Sequence, residues 1–196
     1  MIVLASGSAT RRIMLENAGV PLVVDTAPVD EAAVKDAMRA ETDNPARVAE
    51  VLAELKATRV SARHPGALVV GANQMLECER RWFDKPADRD AARAQLLVLR
   101  DKSHRLVSSV VVVRDGRRLW HHTDSARLDM RRFSDHFLDQ YLDRAGAAVL
   151  SSVGAYQVEG LGAQLFRSVE GDHFTILGLP LLPLLDFLRE NGVLKP

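Results

Sequence analysis

The apolar positions along the chain predict alternating strands and helices. A short apolar run over residues 2–5 ends in a polar turn that contains Gly7, and apolar residues at helical spacing follow as far as Gly19. Helical spacing recurs over residues 46–62 and predicts a helix with one buried face. Lys56 falls near the border of that face.

The remaining elements follow the same two periodicities. We predict further strands over residues 21–24, 67–70, 106–113 and 119–130, further helices over residues 88–99, 133–143 and 181–189, a small hairpin or loop over residues 77–84, and Gly-rich loops around Gly154, Gly160, Gly162 and Gly171. Asp115 and Gly116 predict the turn of a hairpin between the last two strands. We expect residues 30–44 to be polar and mobile, and residues 71–74 to form the polar end of a buried strand.

These elements predict the fold class. Strands that alternate with helices, together with one antiparallel hairpin, are typical of an α/β fold with a mixed twisted sheet and helices on both sides. The chain has 196 residues, and no repeat, low-complexity tract or linker divides it. Because that length is typical of one domain, we predict a single domain over residues 1–196.

Composition and charge narrow the class of protein. Lys plus Arg and Asp plus Glu both count 26, so the net charge is zero and no nucleic acid partner is expected. Cys78 is the single cysteine, which excludes an intramolecular disulfide and indicates a reducing cytoplasm. No apolar run approaches the ~20 residues that span a bilayer, and the apolar N-terminus does not have the pattern of an export signal.

The common short signatures of catalytic sites are absent. The sequence contains no Walker A loop, CxxC pair, HExxH helix or GxSxG elbow. His121, His122 and Asp124 lie on a predicted strand, where adjacent side chains point to opposite faces. We therefore interpret them as part of a solvated strand rather than as a metal site.

The first candidate site follows the first strand. Ser6, Ser8, Arg11 and Arg12 stand at the start of the first predicted helix. Free backbone N–H groups and positive side chains at a helix start favour a phosphate group. The alternative is that the serines are ordinary N-cap residues.

Further polar residues stand where other predicted elements end. They are Glu31, Asn73, Gln74 and Lys85, to which Lys56 is added from the buried helix. Such residues supply oxygen ligands for a divalent metal and positive charges for a triphosphate. Each of them alone is more typical of a solvated surface, and only their joint occurrence in this order favours a site.

The order of these residues resembles the Maf family of nucleotide pyrophosphatases. Seven segments carry the resemblance, over residues 4–12, 29–31, 52–57, 71–74, 84–86, 154–160 and 178–180. They span nearly the whole chain and occur in the order found in the family. The resemblance implies a fold similar to that of inosine triphosphatases, with two lobes around a central cleft.

The resemblance also implies an activity and its residues. Members of the family hydrolyse nucleoside triphosphates between the α and β phosphates with a divalent metal, Mg²⁺ or Mn²⁺. Ser8, Arg11 and Arg12 match the phosphate-binding motif, and Ser6 belongs to the same loop. Glu31 matches an acidic residue that would help to hold the metal. The two lysines that the family places near the phosphates are matched by Lys56 and Lys85.

Asn73 departs from the family pattern. The family has an aspartate there, which is thought to activate the attacking water or to hold the metal. An amide does not accept a proton near neutral pH and binds a hard cation less well than a carboxylate does. Loss of a general base costs about 10²–10⁴ in rate. The sequence leaves open a weak or inactive member, a substitute carboxylate such as Glu31, and a substitution that traps substrate.

Other positions bear on the choice of base and on the first loop. Gln74, Gln157 and Glu159 are expected near the base, and Gln74 and Glu159 resemble the branch that acts on 7-methyl-GTP rather than on dTTP and UTP. A carboxylate there pairs with the N1–H and N2–H₂ donors of guanine. Residues 9–10 and Asp84 also differ from the family's usual Pro-Arg and Gly, so the phosphate contacts of the first loop are expected to be rearranged.

The sequence leaves open two functions other than nucleotide hydrolysis, and it leaves open whether the chain forms a homodimer. Asn73 is consistent with a nucleotide-binding sensor or regulator that has no useful turnover. An RNA-binding protein is disfavoured because the charge is balanced and no extended basic stretch occurs. The leucine-rich helix over residues 181–189 is expected to pack either in the core or at a homodimer interface, and we favour the core.

Overall fold

The computed structural model describes residues 1–195, which form seven strands and seven α-helices. The strands are β1 (Ile2–Leu4), β2 (Leu22–Val24), β3 (Leu68–Cys78), β4 (Arg81–Phe83), β5 (Ser103–Arg114), β6 (Arg117–Met130) and β7 (Phe166–Glu170). The helices are α1 (Ala9–Asn17), α2 (Glu31–Arg39), α3 (Pro45–Ser61), α4 (Arg89–Leu99), α5 (Asp135–Ala145), α6 (His173–Ile176) and α7 (Leu181–Glu190). Three 3₁₀ helices span Gly146–Leu150, Val153–Ala155 and Leu161–Leu165.

The seven strands form one mixed sheet. Its order is β2-β1-β3-β5-β6-β7, and β4 pairs with β3 off this path. β1 is parallel to both β2 and β3, whereas the β3–β4 and β6–β7 pairs are antiparallel. Asp115 and Gly116 both have positive φ, as a type I′ turn between β5 and β6 requires. The predicted mixed α/β sheet and its hairpin are confirmed.

The chain folds into two compact units. The first comprises residues 1–74, residues 107–124 and the C-terminal part from Asp172 onward. The second comprises residues 75–106 and 125–171. β3, β5 and β6 each contribute residues to both units.

The first unit has a core on each face of its strands. Alternate residues of a strand point to opposite faces, so each strand contributes to both cores. One core packs β1, β3 and β5 against α1 and α7, and the other packs the same strands against α3. Leu184 and Leu188 of α7 are fully buried in the first core, so the leucine-rich helix packs in the core, as we expected from the sequence.

In the second unit, α4 and α5 pack against each other. Leu96, Leu138 and Leu142 lie in their buried faces. Arg93 Nε donates to Asp139 Oδ1 at 2.8 Å on the outer side of the same contact. Apolar burial and charge pairing therefore hold this helix pair together.

Two expectations about local structure are wrong. α2 occupies much of the stretch 30–44 that was expected to be mobile. Asp30 caps this helix by accepting a hydrogen bond from Ala33 N at 3.0 Å. No residue of α2 is fully buried, although its apolar residues lie along one face of the helix. Residues 71–74, expected as a polar strand end, lie within the continuous strand β3.

Sequence periodicity also missed two elements, β7 and α6. Both are short, and β7 contains only partly buried or exposed residues, so neither produces a strong apolar pattern. Among the residues that the structure describes, no helix combines the length and the apolar character needed to cross a membrane.

Candidate active site

The loop after β1 is held in shape by its two serines. Ser8 caps α1, and its Oγ accepts a hydrogen bond from Arg11 N at 3.4 Å. Ser6 Oγ accepts from Ser8 N at 3.3 Å and from Arg11 Nη1 at 3.0 Å. The serines therefore act as N-cap and loop residues, which leaves the first N–H groups of α1 to receive an anion.

Arg11 connects this loop with two other segments of the first unit. Its Nε donates to the Gly178 carbonyl at 2.8 Å, and its Nη1 donates to the Ala72 carbonyl at 3.0 Å. Burial lowers the pKa of Arg11 to about 10, although the charge of Glu31 opposes this shift, so Arg11 stays charged at neutral pH. Within residues 1–195, the Nη2 group of Arg11 has no hydrogen-bond partner, so its two N–H donors remain available.

Arg12 points away from these contacts. Its side chain is half exposed, and its Nε lies 4.0 Å from Glu16 Oε1 on the next turn of α1. A surface pair of this length contributes little to stability. Arg12 is thus free to turn toward an anion at the start of α1.

Lys56 bridges Glu31 and Asn73. Its Nζ lies 2.7 Å from Glu31 Oε1 and 2.9 Å from Asn73 Oδ1. Asn73 is only 4% exposed, because β3 is covered on that face by α3. Three residues that the sequence separates by up to 42 positions therefore share one ammonium group.

For both Lys56 and Glu31, burial and neighbouring opposite charges shift the pKa in opposite directions. Burial lowers the pKa of Lys56, and the ion pair with Glu31 only partly restores it. Burial raises the pKa of Glu31, but the charges of Lys56, Lys35 and Arg11 together outweigh it and leave the pKa of Glu31 lowered. Glu31 is therefore ionised at neutral pH. Lys35 Nζ lies 4.0 Å from Glu31 Oε2 and adds a further positive charge.

The donor set around Glu31 bears on a divalent metal. Among residues 1–195, no group of three His, Cys, Asp or Glu side chains could hold a metal ion. Mg²⁺ is commonly bound by one or two carboxylates together with substrate phosphates and waters. Glu31 would fit that manner of binding, and the Asn73 amide oxygen would be a neutral second ligand. Both oxygens currently accept hydrogen bonds from Lys56.

Gln74 is held by the protein through its side-chain nitrogen. Its Nε2 donates to Ser108 Oγ at 3.1 Å, to the Thr175 carbonyl at 3.2 Å and to the Ile176 carbonyl at 3.0 Å. The donor side of this amide is therefore occupied by the protein. Its Oε1 is the atom that remains for a ligand.

The other predicted site residues belong to the second unit. Lys85 is exposed and stands between Asp84, whose carbonyl accepts from Gln95 Nε2 at 2.8 Å, and the buried Pro86. Gln157 Nε2 donates to Ser151 Oγ at 3.1 Å, and Glu159 is exposed.

A strained turn precedes Gln157 and Glu159. Gly154 and Ala155 both have positive φ, at 79° and 61°. For Ala155 this conformation is costly, and such strain is concentrated at functional loops. Tyr141 Oη donates to the Ala155 carbonyl at 3.0 Å and helps to hold the turn.

The structure thus brings together, in the first unit, Ser6, Ser8, Arg11, Glu31, Lys56, Asn73 and Gln74. Sequence reasoning missed Lys35, although its position four residues after Glu31 would have indicated it once α2 was recognised. It also assigned no role to Gly178, whose carbonyl anchors Arg11. No local signal in the sequence shows that contact, because it joins residues 167 positions apart.

Comparison with known proteins places the chain among relatives of the same length. Residues 1–191 match the family described as Maf-like protein. A nucleoside triphosphate pyrophosphatase from Paramagnetospirillum magneticum is 72% identical over 193 residues, which cover 98% of this chain and 100% of the relative. One from Granulibacter bethesdensis is 52% identical, with 98% of both chains covered. A 7-methyl-GTP pyrophosphatase from Mesorhizobium japonicum is 50% identical, with 98% of this chain and 97% of the relative covered.

Proposed function

The chain belongs to the Maf-like protein family, and from this premise we propose that it hydrolyses nucleoside triphosphates between the α and β phosphates. The products are a nucleoside monophosphate and pyrophosphate. Relatives that are 72% and 52% identical carry the name nucleoside triphosphate pyrophosphatase, which supports this proposal.

The excess of positive charge around Glu31 is the observation that carries the proposal. Arg11, Lys35 and Lys56 surround this single carboxylate, and all three charges act on its pKa. A triphosphate brings several negative charges, which this cluster and the start of α1 would balance. Arg11 Nη2 supplies paired N–H donors suited to phosphate oxygens.

The reaction needs a water molecule to attack the α phosphorus while pyrophosphate leaves. Lys56 and Arg11 would offset the charge that develops on the phosphate oxygens. Glu31 is the carboxylate of this cluster, so it would accept the proton of the water in place of the aspartate that Asn73 replaces. Because its pKa is lowered, Glu31 is a weak base, and slow turnover follows.

A divalent metal, Mg²⁺ or Mn²⁺, completes the proposal. It would be held by Glu31 and the phosphate oxygens, and when bound it neutralises charge on the phosphates. Chelation with EDTA is therefore expected to abolish pyrophosphate release, and Mg²⁺ or Mn²⁺ to restore it. Pyrophosphate release that persists after exhaustive chelation would show that the reaction does not need a divalent metal.

The base is proposed to be guanine, methylated at N7. Glu159 and Gln157 lie in the segment that would meet the base, and Glu159 is an exposed acceptor for the N1–H and N2–H₂ groups. A relative named 7-methyl-GTP pyrophosphatase at 50% identity is consistent with this choice. The alternative substrates are dTTP and UTP.

The experiment is pyrophosphate release from a panel of 7-methyl-GTP, GTP, dTTP, UTP and CTP with Mg²⁺ or Mn²⁺. A preference for 7-methyl-GTP supports the full proposal. A preference for dTTP and UTP retains the activity but overturns the choice of base. Absence of release from every nucleotide overturns the activity.

Asn73 favours a second function, a nucleotide-binding sensor or regulator without significant turnover. Its amide keeps the hydrogen bond to Lys56 but offers no proton acceptor at neutral pH. Calorimetric binding of a nonhydrolysable triphosphate analogue, together with no pyrophosphate release, would support this function. Turnover at a rate useful to a cell would exclude it.

A further inference from the structure

The side-chain amide of Gln74 lies at the centre of a buried hydrogen-bond network in the first unit. Its Nε2 donates to the carbonyls of Thr175 and Ile176, and Ser108 Oγ donates to the same Thr175 carbonyl at 2.8 Å. Ser108 and Thr175 are fully buried. Because all these neighbours accept from Nε2, the orientation of the amide is fixed.

The residues that Gln74 holds form a turn ending at Gly178. Gly178 N donates to the Thr175 carbonyl at 3.0 Å, and Gly178 has a φ of 100°. Thr175 is fixed from outside the turn as well, because its N–H bonds to Asp172 Oδ1 at 2.8 Å and its Oγ1 to Asp124 Oδ2 at 2.9 Å. The turn therefore has a defined place in the unit.

Gly178 connects the turn with Arg11. Its carbonyl accepts from Arg11 Nε at 2.8 Å. A Cβ built on Gly178 would lie 3.5 Å from Arg11 Nη2 and 3.7 Å from Gln74 Cδ. The two side chains therefore flank this glycine, and a shift of the turn moves the atom that fixes the guanidinium.

We propose that Gln74 is a positioning residue, which holds the turn of residues 175–178 where the Gly178 carbonyl orients the Arg11 guanidinium toward a phosphate group. This role rests on the proposed function of the site. This role is separate from contact with the base, for which Gln74 Oε1 remains while Nε2 is bound to the protein. A positioning role acts on every triphosphate alike, whereas base contact acts on one base more than on another.

Inorganic tripolyphosphate is the appropriate probe, because it carries the phosphates without a base. Calorimetry on the full chain should show that Gln74→Leu weakens its binding by about tenfold, since hydrogen bonds to two buried carbonyls are lost. Ser108→Ala should weaken it in the same direction. Ser109→Ala is the matched control and should leave binding unchanged, because Ser109 is equally buried but bonds to Thr123 instead.

Coupling to Arg11 separates positioning from loss of stability. In an Arg11→Met background, the further substitution Gln74→Leu should change tripolyphosphate affinity by less than about twofold, because the group that it positions is gone. Gln74→Leu should also lower kcat/KM by the same factor for GTP, dTTP, UTP and CTP. A full effect in the Arg11→Met background, or a loss confined to one base, would overturn the proposal.

Failure of the proposed function gives a different result. If the chain binds tripolyphosphate but hydrolyses no nucleotide, the activity is wrong and the role of Gln74 is still decided by the binding data. If the unsubstituted chain does not bind tripolyphosphate, Arg11 is not a phosphate-binding residue and the positioning role is overturned. Thermal melting of each variant identifies any that fails to fold. If Gln74→Leu does not fold, the tripolyphosphate affinity of Ser108→Ala is measured in its place.

Discussion

The Lys56 ammonium group donates a hydrogen bond to the Asn73 amide oxygen across 2.9 Å, at a buried position of strand β3. The same ammonium group is paired with Glu31. The residue at position 73 therefore sets how many negative charges balance Lys56. With asparagine there, Lys56 keeps Glu31 as its anionic partner in this bridge.

Asn73→Asp is expected to raise metal-dependent pyrophosphate release at least about tenfold, because a carboxylate supplies a proton acceptor where the amide has none. The aspartate also gives a hard cation a second anionic ligand beside Glu31. Initial rates with Mg²⁺ or Mn²⁺ check this, with Asn73→Ala as the control for loss of the amide alone. Equal activity of the asparagine and aspartate forms would show that the residue at position 73 does not take part in catalysis.

Lys85→Met is expected to lower kcat/KM for triphosphates by about tenfold or more, since removal of one charged hydrogen bond to a phosphate has about that effect. Lys85 is exposed, so the melting temperature should stay the same. Lys195→Met removes another exposed lysine and serves as the control. If both variants retain the kinetic constants of the unsubstituted chain, Lys85 does not contact substrate.

Much of the fold was predictable, because strong periodicity marks buried elements. The helix predicted over residues 46–62 is α3, and the strand predicted over residues 106–113 is the middle of β5. α2 was not predicted, although Val34, Ala37 and Met38 have helical spacing, because the charged residues around them are equally typical of a polar loop.

The residues of the candidate site could be proposed from the sequence, but the contacts among them could not. Order along the chain indicated Glu31, Lys56 and Asn73, and the structure joins them through one ammonium group. Gln74 was expected near a base, and the sequence did not indicate that its Nε2 binds carbonyls that follow β7 in the chain. Such contacts depend on how distant segments pack, which periodicity and local motifs do not encode.

Gly71→Ala is expected to destabilise the chain by about 2–3 kcal/mol, because overpacking at a close contact has that cost. A Cβ on Gly71 would clash with the Ala53 carbonyl oxygen and would lie 2.9 Å from Ala57 Cβ. β3 would have to move away from α3, and Asn73 would move with it. Urea unfolding measures the change in free energy.

Gly160→Ala is the control for this substitution. A Cβ there meets only the Gln157 carbonyl oxygen, at 3.9 Å, and the φ of −127° suits any residue. Its free energy of unfolding should change by less than about 0.5 kcal/mol. A Gly71→Ala variant as stable as Gly160→Ala would show that β3 and α3 are not closely packed in solution.

His104 is expected to make the chain sensitive to acid. Its side chain is buried, with Nε2 2.6 Å from Tyr156 Oη and, among the residues described, no partner for Nδ1. Burial lowers the pKa of His104 to about 4, although the charge of Asp129 opposes the shift. The protonated ring donates from both nitrogens, and Nδ1 has no acceptor among the residues described.

The direction of the pH effect on stability follows from the pKa of His104 in the folded and in the unfolded chain. The unfolded chain binds a proton on His104 near pH 6.5, whereas the folded chain does so only near pH 4. Below pH 6.5 the unfolded chain takes up a proton on His104 that the folded chain does not. The free energy of unfolding therefore falls as the pH decreases from 6.5 toward 4, by roughly 3 kcal/mol at most. His104→Gln keeps polar atoms for Tyr156 but does not titrate, so its free energy of unfolding should fall less over this range. His121→Gln, at an exposed histidine, is the control, and urea unfolding between pH 4 and 7 is the measurement. Parallel pH profiles for the unsubstituted chain and His104→Gln would show that His104 is not the source of acid sensitivity.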